Sequence, residues 1–174
     1  MLNIQYVEGD LFECVLAEQN KIRIIPHVCN NRGAWGKGFV LPLGRQFPAA
    51  RTAYQQWALG QPLDDDLEIL TNPTRPFELG ALQVVEGASK VFVANMVAQV
   101  FGGKRPLFYN SLVRCMDELA DVAAHTFKEP YVFMCPLFGS GLAGGDWAII
   151  EKLIEDCWCR RDKEVIVCLY NPKE

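Results

Sequence analysis

The segment NNRGAWGKG, residues 30–38, directly follows the apolar run IRIIPHVC, residues 22–29. Three glycines within the six positions from Gly33 to Gly38 allow this backbone to bend tightly or to let a ligand approach closely. An apolar run, a glycine-rich loop and an amphipathic pattern beginning near Phe39 predict a strand–loop–helix unit. Such a unit directs backbone N–H groups and the positive end of a helix dipole toward one point. The segment therefore predicts an anion-binding loop.

A second glycine-rich segment, PLFGSGLAGGDW (residues 136–147), has the same organisation. It follows the apolar run at 130–135 and precedes a helical pattern that begins near Asp146. GSGLAG (139–144) fits G-x-G-x-x-G, but it falls late in the chain, without a following βαβ unit and ribose-binding acid. The phosphate-binding pattern of nucleotide triphosphatases, G-x-x-x-x-G-K-[ST], is absent. Each loop is either a plain turn or half of one ligand site, and two equivalent loops favour a diphosphate held between them.

Short apolar runs alternate with helical patterns along the chain. The predicted strands cover residues 2–7, 22–28, 80–85, 90–97, 130–135 and 164–170. The predicted helical stripes cover residues 40–57, 112–126 and 150–157, with Pro48 dividing the first into two helices. Several strands are apolar throughout, which indicates burial on both faces. We therefore expect one α/β domain over residues 1–174, with three layers, α/β/α, and a central mixed, largely parallel sheet.

Composition excludes several classes of protein. The chain has 174 residues, half of them apolar, and a formal net charge of −4. No basic stretch exceeds a dipeptide, which argues against an extended nucleic-acid surface. No apolar run approaches the roughly 18–20 residues of a membrane span, and no secretory signal precedes the domain, so we expect a cytoplasmic protein. Seven scattered cysteines and two histidines predict buried thiols, with neither disulfides nor a metal site.

Single polar residues near the loops have both structural and functional interpretations. Asp10 and Asp146 are each placed to cap a helix, while Asp10 is also a candidate acceptor for a base amino group and Asp146 for orienting water. His27 is either a core histidine or a general acid–base group at the end of its strand. Lys37 either contacts phosphate or faces solvent, and Tyr170 offers a face on which a base can stack.

Five segments together resemble a macro domain, the ADP-ribose-binding α/β/α family. They are EGDLF (8–12), HVCNNRGAWGKGF (27–39), VANMVAQ (93–99), PLFGSGLAGGDW (136–147) and VCLYN (167–171), in that order. The chain is most similar to the branch that contains ADP-ribose 1″-phosphate phosphatases and terminal ADP-ribose protein glycohydrolases. The resemblance implies the macro-domain fold, no cofactor, and ADP-ribose or a derivative as ligand. ADP-ribosylated protein or nucleic acid is a further candidate partner, and no membrane contact is expected.

The resemblance also implies a role for each part of the site. Four residues are implied beside the adenine: Asp10, Leu11, Tyr170 and Asn171. Five are implied at the distal ribose and the adjoining phosphate: Asn30, Asn31, Gly36, Lys37 and Gly38. Four are implied around the diphosphate through their backbone amides: Gly139, Ser140, Gly141 and Leu142. Among these residues, Asp10 is expected to accept a hydrogen bond from the adenine amino group.

The two enzyme types in this branch differ in their catalytic residues. The glycohydrolase type uses a lysine near the segment at 93–99, which holds none here, and an aspartate where this chain has Ala143. The phosphatase type has a histidine at the position of His27, and Asp146 is the candidate acid beside it. We therefore expect a hydrolase acting on ADP-ribose 1″-phosphate or on an ester-linked ADP-ribosyl group. The alternatives are a non-catalytic protein that recognises ADP-ribose, and another nucleotide-binding enzyme that shares only the architecture.

Overall fold

The computed structural model describes residues 1–170 as a three-layer fold around one six-stranded sheet. The strands are β1 (Gln5–Glu8), β2 (Ile22–Asn30), β3 (Leu82–Ala88), β4 (Val91–Gln99), β5 (Tyr131–Cys135) and β6 (Glu164–Leu169). The helices are α1 (Leu11–Ala17), α2 (Val40–Gln46), α3 (Pro48–Ala58), α4 (Tyr109–Thr126) and α5 (Trp147–Cys157), followed by a 3₁₀ helix at Cys159–Arg161. The strand order is β1-β6-β5-β2-β4-β3, and all neighbouring pairs are parallel except β3–β4. The predicted α/β/α fold with a mixed, largely parallel sheet is confirmed.

A separate hydrophobic core lies on each face of the sheet. Helices α1, α2 and α3 cover one face, and α4 and α5 cover the other. Successive strand residues enter opposite cores: Ile24 of β2 packs beneath α4 and α5, and Ile25 packs beneath the first three helices. Strands β2 and β4 are therefore buried along almost their whole length, as their unbroken apolar runs predicted.

Local signals define the helix ends as expected. Asp10 Oδ1 accepts from the N–H of Phe12 at the start of α1, and Asp146 Oδ1 accepts from the N–H of Ala148 at the start of α5. Each such cap contributes about 1 kcal/mol to stability. Pro48 is the first residue of α3, where its missing N–H costs no helical hydrogen bond. Both capping predictions and the division at Pro48 are confirmed.

Several strand boundaries differ from the predicted ones. Strand β1 begins at Gln5 rather than Leu2, because the Leu2 N–H donates to the carbonyl of Cys159 and does not take part in the pairing of β1 with β6. Strand β2 extends to Asn30, where its register against β4 shifts after Cys29. Asn30 is therefore the last residue of a strand, and His27 lies inside that strand instead of at its end.

The segments at 60–78 and 101–107 contain no helix or multi-residue strand. Ile69 forms a single antiparallel bridge to Val85, and Leu107 forms one to Gln99. Within residues 1–170, none of the helices combines the length and the apolar character that crossing a membrane requires.

Candidate functional site

A groove runs along the carboxyl ends of the parallel strands, between the two glycine-rich loops. It has three compartments, which we call proximal, central and distal. The proximal compartment, about 510 Å³, is lined by residues that include Asp10, Leu11, Phe12, Arg45, Cys168 and Tyr170. The central compartment, about 260 Å³, is lined by residues that include His27, Lys37, Gly38, Gly139, Gly141 and Leu142. The distal compartment, about 510 Å³, is lined by residues that include Asn30, Trp35, Gly36, Phe101, Gly102 and Pro106.

Shared walls make the three compartments one continuous groove. Phe39, Pro136 and Leu137 line both the proximal and the central compartments. Four further residues line both the central and the distal compartments: Val28, Lys37, Val40 and Leu142. A single elongated ligand can therefore occupy all three compartments at once.

Asn30 determines the shape of the first loop. Its Nδ2 donates to the carbonyl of Ala34 at 2.8 Å, and its Oδ1 accepts from the N–H groups of Arg32 and Ala34 at 2.9 and 3.1 Å. The Tyr54 hydroxyl donates to the Asn30 carbonyl at 2.5 Å and accepts from the Gly33 N–H at 3.1 Å. The Asn30 amide is thus occupied within its own loop, although the residue lines the distal compartment.

Asn31 and Arg32 attach the loop at 101–107 to the first loop. The backbone N–H of Phe101 donates to Asn31 Oδ1 at 3.1 Å, and Arg32 Cζ lies 5.2 Å from the centre of the Phe101 ring. Asn31 is not among the residues that line the three compartments. Its side chain instead helps to build the distal wall, which Phe101 and the following glycines form.

Both loops present backbone N–H groups that lack a hydrogen-bond acceptor within residues 1–170. In the first loop these belong to Gly36, Lys37, Gly38 and Phe39. In the second loop they belong to Gly139, Gly141, Leu142 and Ala143. Consecutive unpaired N–H groups on a concave backbone attract anions through their partial positive charges. The two rows border the central compartment, which is therefore suited to a ligand with adjacent anionic groups.

The glycines of the second loop serve two different purposes. A Cβ on Gly145 would lie 2.4 Å from Leu107 Cδ2 and 2.5 Å from the Gly139 carbonyl oxygen, so packing requires glycine there. A Cβ on Gly141 would meet no atom within 4 Å, and Gly141 has no positive φ. Neither packing nor backbone conformation therefore explains the glycine at 141. Gly36 in the first loop has the same two properties, and in both cases the missing side chain leaves open space.

His27 lies beneath the central compartment with only 2% of its surface exposed. Its Nε2 is 2.5 Å from Asn95 Oδ1, and its ring packs against Trp35 and Phe39, with centroid distances of 5.5 and 6.1 Å. Burial lowers the pKa of His27 to about 4, although the hydrogen bond to Asn95 opposes this shift. The imidazole is therefore neutral at pH 7.

The remaining predicted site residues occupy distinct places. Asp10, Leu11 and Tyr170 line the proximal compartment, and only the Oδ1 atom of Asp10 is engaged in capping α1. Ser140 is not among the residues that line the three compartments, although Gly139 and Gly141 on either side of it line the central one, and its hydroxyl donates to the Leu137 carbonyl at 2.8 Å. Asn171 lies outside the described residues.

Asp146 lies at the start of α5 and is not among the residues that line the three compartments. Its Oδ1 caps the helix, and its backbone N–H donates to the Tyr109 hydroxyl at 2.8 Å. A catalytic role for Asp146 stays a prediction.

Sequence reasoning missed several groove residues. Phe39 forms the wall between the proximal and central compartments and stacks on Phe12, with centroids 5.7 Å apart. Its position directly after the first loop was the available signal. Asn95, which contacts His27 beneath the groove and does not line it, was also detectable, as a polar residue inside the buried apolar run of β4. Arg45, at the end of α2, carried no such signal.

More basic than acidic side chains line the described part of the groove. Among its lining residues within 1–170, Lys37 and Arg45 are basic and exposed, whereas Asp10 is the one carboxylate, at the proximal end. Within residues 1–170, no three histidine, cysteine or acidic side chains converge as metal ligands would. An anionic ligand is therefore held mainly by backbone N–H groups, with Lys37 adjacent.

Comparisons with known proteins agree with this architecture. No protein-family model matches the chain. A protein named ADP-ribose 1″-phosphate phosphatase from Debaryomyces hansenii is 26% identical over 164 residues, which are 87% of this chain and 92% of that protein. The structure of a macrodomain protein from Streptomyces coelicolor is 34% identical, has a TM-score of 0.75, and is matched over 97% of this chain and 100% of its own. A protein of unknown function from Bacteroides thetaiotaomicron is 30% identical, with a TM-score of 0.78 and coverage of 97% and 99%.

Proposed function

Because the chain belongs to the macro domain family, we propose that it binds ADP-ribose along the three-compartment groove. The observation that carries this proposal is the pair of loops whose N–H groups lack acceptors, within residues 1–170, on either side of the central compartment. A diphosphate placed there has two adjacent anionic groups for two rows of donors. The compartments on either side have room for one nucleoside and one further sugar.

The proposed orientation of the ligand follows from the polar groups at each end. In the proximal compartment, Asp10 Oδ2 is available to accept from the adenine amino group, and Tyr170 offers an exposed ring for stacking. In the distal compartment, the ribose meets Gly36 and Trp35, on a loop that Asn30 shapes. The absence of a side chain at Gly36 and Gly141 lets the ligand approach both backbones closely.

We further propose that the chain hydrolyses an ADP-ribose derivative, either ADP-ribose 1″-phosphate or an ester-linked ADP-ribosyl group. The name of the Debaryomyces hansenii relative supports the first substrate. Water would attack the phosphorus atom where the central and distal compartments meet, and its proton would pass to His27. The bond from phosphorus to the ribose oxygen would break, and that oxygen would take the proton from the imidazolium. The products are ADP-ribose and inorganic phosphate.

A specific observation favours a second candidate function, recognition of ADP-ribose without cleavage. Within residues 1–170, none of the residues that line the central and distal compartments is an aspartate or glutamate. His27, with a pKa of about 4, is a weak base at neutral pH. ADP-ribosylated protein or nucleic acid as partner, and a cytoplasmic location, stay predictions under either candidate.

Two measurements test these proposals. Calorimetry should give a lower dissociation constant for ADP-ribose than for ADP or NAD, and equal affinities would contradict the binding proposal. Phosphate release from ADP-ribose 1″-phosphate should fall in His27→Gln. Asp146→Asn keeps the helix cap because asparagine caps as well as aspartate, so it tests only the charge of that side chain. Binding without turnover of this substrate or of ADP-ribosylated macromolecules would establish the non-catalytic candidate.

A further inference from the structure

Three polar side chains lie in a row beneath α3, on three neighbouring strands. His27 of β2 is directly opposite Asn95 of β4, and Asn95 is directly opposite Gln83 of β3. Their exposed fractions are 2%, 0% and 3%. Each is among apolar neighbours, where an unpaired polar group costs about 1–3 kcal/mol. A row of this kind persists in a core only if its hydrogen bonds are satisfied.

The main-chain carbonyl of Ala53 in α3 fixes which group donates and which accepts in each hydrogen bond of this row. Gln83 Nε2 donates to the carbonyl of Ala53 at 3.0 Å. A carbonyl can only accept, so the other end of the Gln83 amide, Oε1, is left as the acceptor for Asn95 Nδ2 at 2.9 Å. Asn95 Nδ2 also reaches the carbonyl of Ala50 at 3.3 Å. The Asn95 oxygen must therefore face His27.

The direction of the row determines which ring nitrogen of His27 carries the proton. Asn95 Oδ1 is an acceptor only, and it lies 2.5 Å from His27 Nε2, so Nε2 must be the donor. In the neutral imidazole, the other nitrogen, Nδ1, then holds the lone pair. Within the described residues, the hydrogen-bonding contact of Nδ1 is with Cys29 Sγ at 3.9 Å, and the same sulfur lies 3.6 Å from Nε2.

We propose that Asn95, oriented by Gln83, is a positioning residue that holds His27 in the Nε2–H tautomer and leaves Nδ1 as the proton acceptor for the central compartment. The catalytic consequence rests on the proposed hydrolase function, whereas the tautomer does not. The titratable groups around the ring are Cys29 on β2, Tyr54 on α3 and Lys37 in the first loop. Burial raises the pKa of Cys29 and of Tyr54, so both stay neutral and the row has no competing charge from them.

The first test uses the protein unchanged, because it contains only two histidines. His125, exposed on α4, places Nδ1 2.8 Å from the carbonyl of Asp121, so its proton belongs on Nδ1. Nitrogen-15 NMR of histidine-labelled protein at pH 7 should therefore show opposite tautomers, Nε2–H for His27 and Nδ1–H for His125. An Nδ1–H or a doubly protonated His27 overturns the proposal.

Two substitutions of Asn95 separate positioning from packing. Leucine has a similar size and suits a buried site, but it offers no acceptor, so Asn95→Leu should give mixed tautomers and a kcat roughly 100-fold lower, with KM within about twofold. Asn95→Asp keeps an oxygen acceptor, so it should retain the Nε2–H tautomer, raise the pKa of His27 and move the acid limb of the kcat–pH profile upward. A residue needed only for packing would tolerate leucine better than aspartate, and that ranking contradicts the proposal.

Gln83 provides the remaining test. Gln83→Leu leaves Asn95 in place but removes the nearer acceptor of its Nδ2, so the Asn95 amide is free to rotate. The fraction of His27 in the Nε2–H tautomer should therefore fall. Thr71→Val is the matched control, because Thr71 is a buried hydroxyl that accepts from the N–H of Val84 and has no link to His27. An unchanged tautomer in Gln83→Leu, or the same change in Thr71→Val, contradicts the role of the row. If ADP-ribose does not bind at all, the proposed function fails while the tautomer result still stands.

Discussion

Gly141 is the position where one substitution tests the site most directly. A glutamate there directs a carboxylate into the open space of the central compartment, where we place the diphosphate. Two unit charges about 4 Å apart repel by about 1 kcal/mol in water and by about 4 kcal/mol at the lower effective dielectric near a protein surface. The side chain also occupies volume that the ligand needs. We expect Gly141→Glu to weaken ADP-ribose binding by at least about 100-fold, which corresponds to about 2.7 kcal/mol.

The same substitution should leave the fold intact. Gly141 has an ordinary φ, and a Cβ added to it would meet no atom within 4 Å, so a side chain is accommodated without strain. Replacing glycine at such a position reduces the entropy of the unfolded chain and stabilises by about 0.4–1 kcal/mol. The Tm should therefore stay constant or rise by about 1–4 °C for a chain of this length.

Isothermal titration calorimetry and thermal unfolding on the same samples decide the outcome. Gly141→Gln adds nearly the same volume without charge and should weaken binding less than glutamate does. Ala124→Glu, on the exposed side of α4, adds the same charge away from the groove and should leave the affinity unchanged. Affinity within about threefold of the original protein in a folded Gly141→Glu variant would refute the assignment of the second loop to the diphosphate. A fall in Tm of many degrees would refute the argument that space is open at 141.

Three further predictions concern stability. The pKa of His27 is about 4 in the folded protein and about 6.5 in the unfolded chain, so the unfolded chain binds more protons between these values, and this group should lower the free energy of unfolding by about 3 kcal/mol between pH 7 and pH 4. Urea unfolding should show a loss larger by that amount in the original protein than in His27→Gln, because carboxylates titrate alike in both. Asp146→Ala removes the cap of α5 and should lower stability by about 1 kcal/mol, whereas Asp146→Asn should not; calorimetric unfolding of the two variants is the comparison. Gly145→Ala forces a methyl group within 2.4 Å of Leu107 and should destabilise by about 1–3 kcal/mol, with an unchanged Tm contradicting the close packing there.

Much of the fold was predictable because its signals are local. The unbroken apolar runs of β2 and β4 reflect burial on both faces, and the capping aspartates Asp10 and Asp146 start the helices that they precede. Pro48 marked the boundary between α2 and α3. Each of these effects acts within a few residues, so composition and spacing were sufficient to locate it. Strand ends were less predictable, as at Leu2 and Asn30, because they depend on the partner strand.

The candidate site was predictable only in part. The glycines of the two loops were sufficient to locate them, but the sequence could not separate Gly141, which leaves space open, from Gly145, which packing requires. It also could not indicate that the Asn30 amide is occupied within its own loop. Both distinctions depend on which atoms come to lie around a residue from elsewhere in the chain.

The sequence by itself determined the order of strands and helices along the chain and the positions of both glycine-rich loops. It also determined that these loops meet at the carboxyl ends of the parallel strands. Only the tertiary structure decided how the row of buried polar side chains is hydrogen-bonded. His27 and Asn95 are 68 residues apart and become partners through the register of β2 against β4. Asn95 meets Gln83 in the same way, through the antiparallel register of β4 against β3. A shift of one residue in either register would turn these side chains to the opposite face of the sheet. The protonation of the groove histidine is therefore a property of strand pairing, which no local pattern encodes.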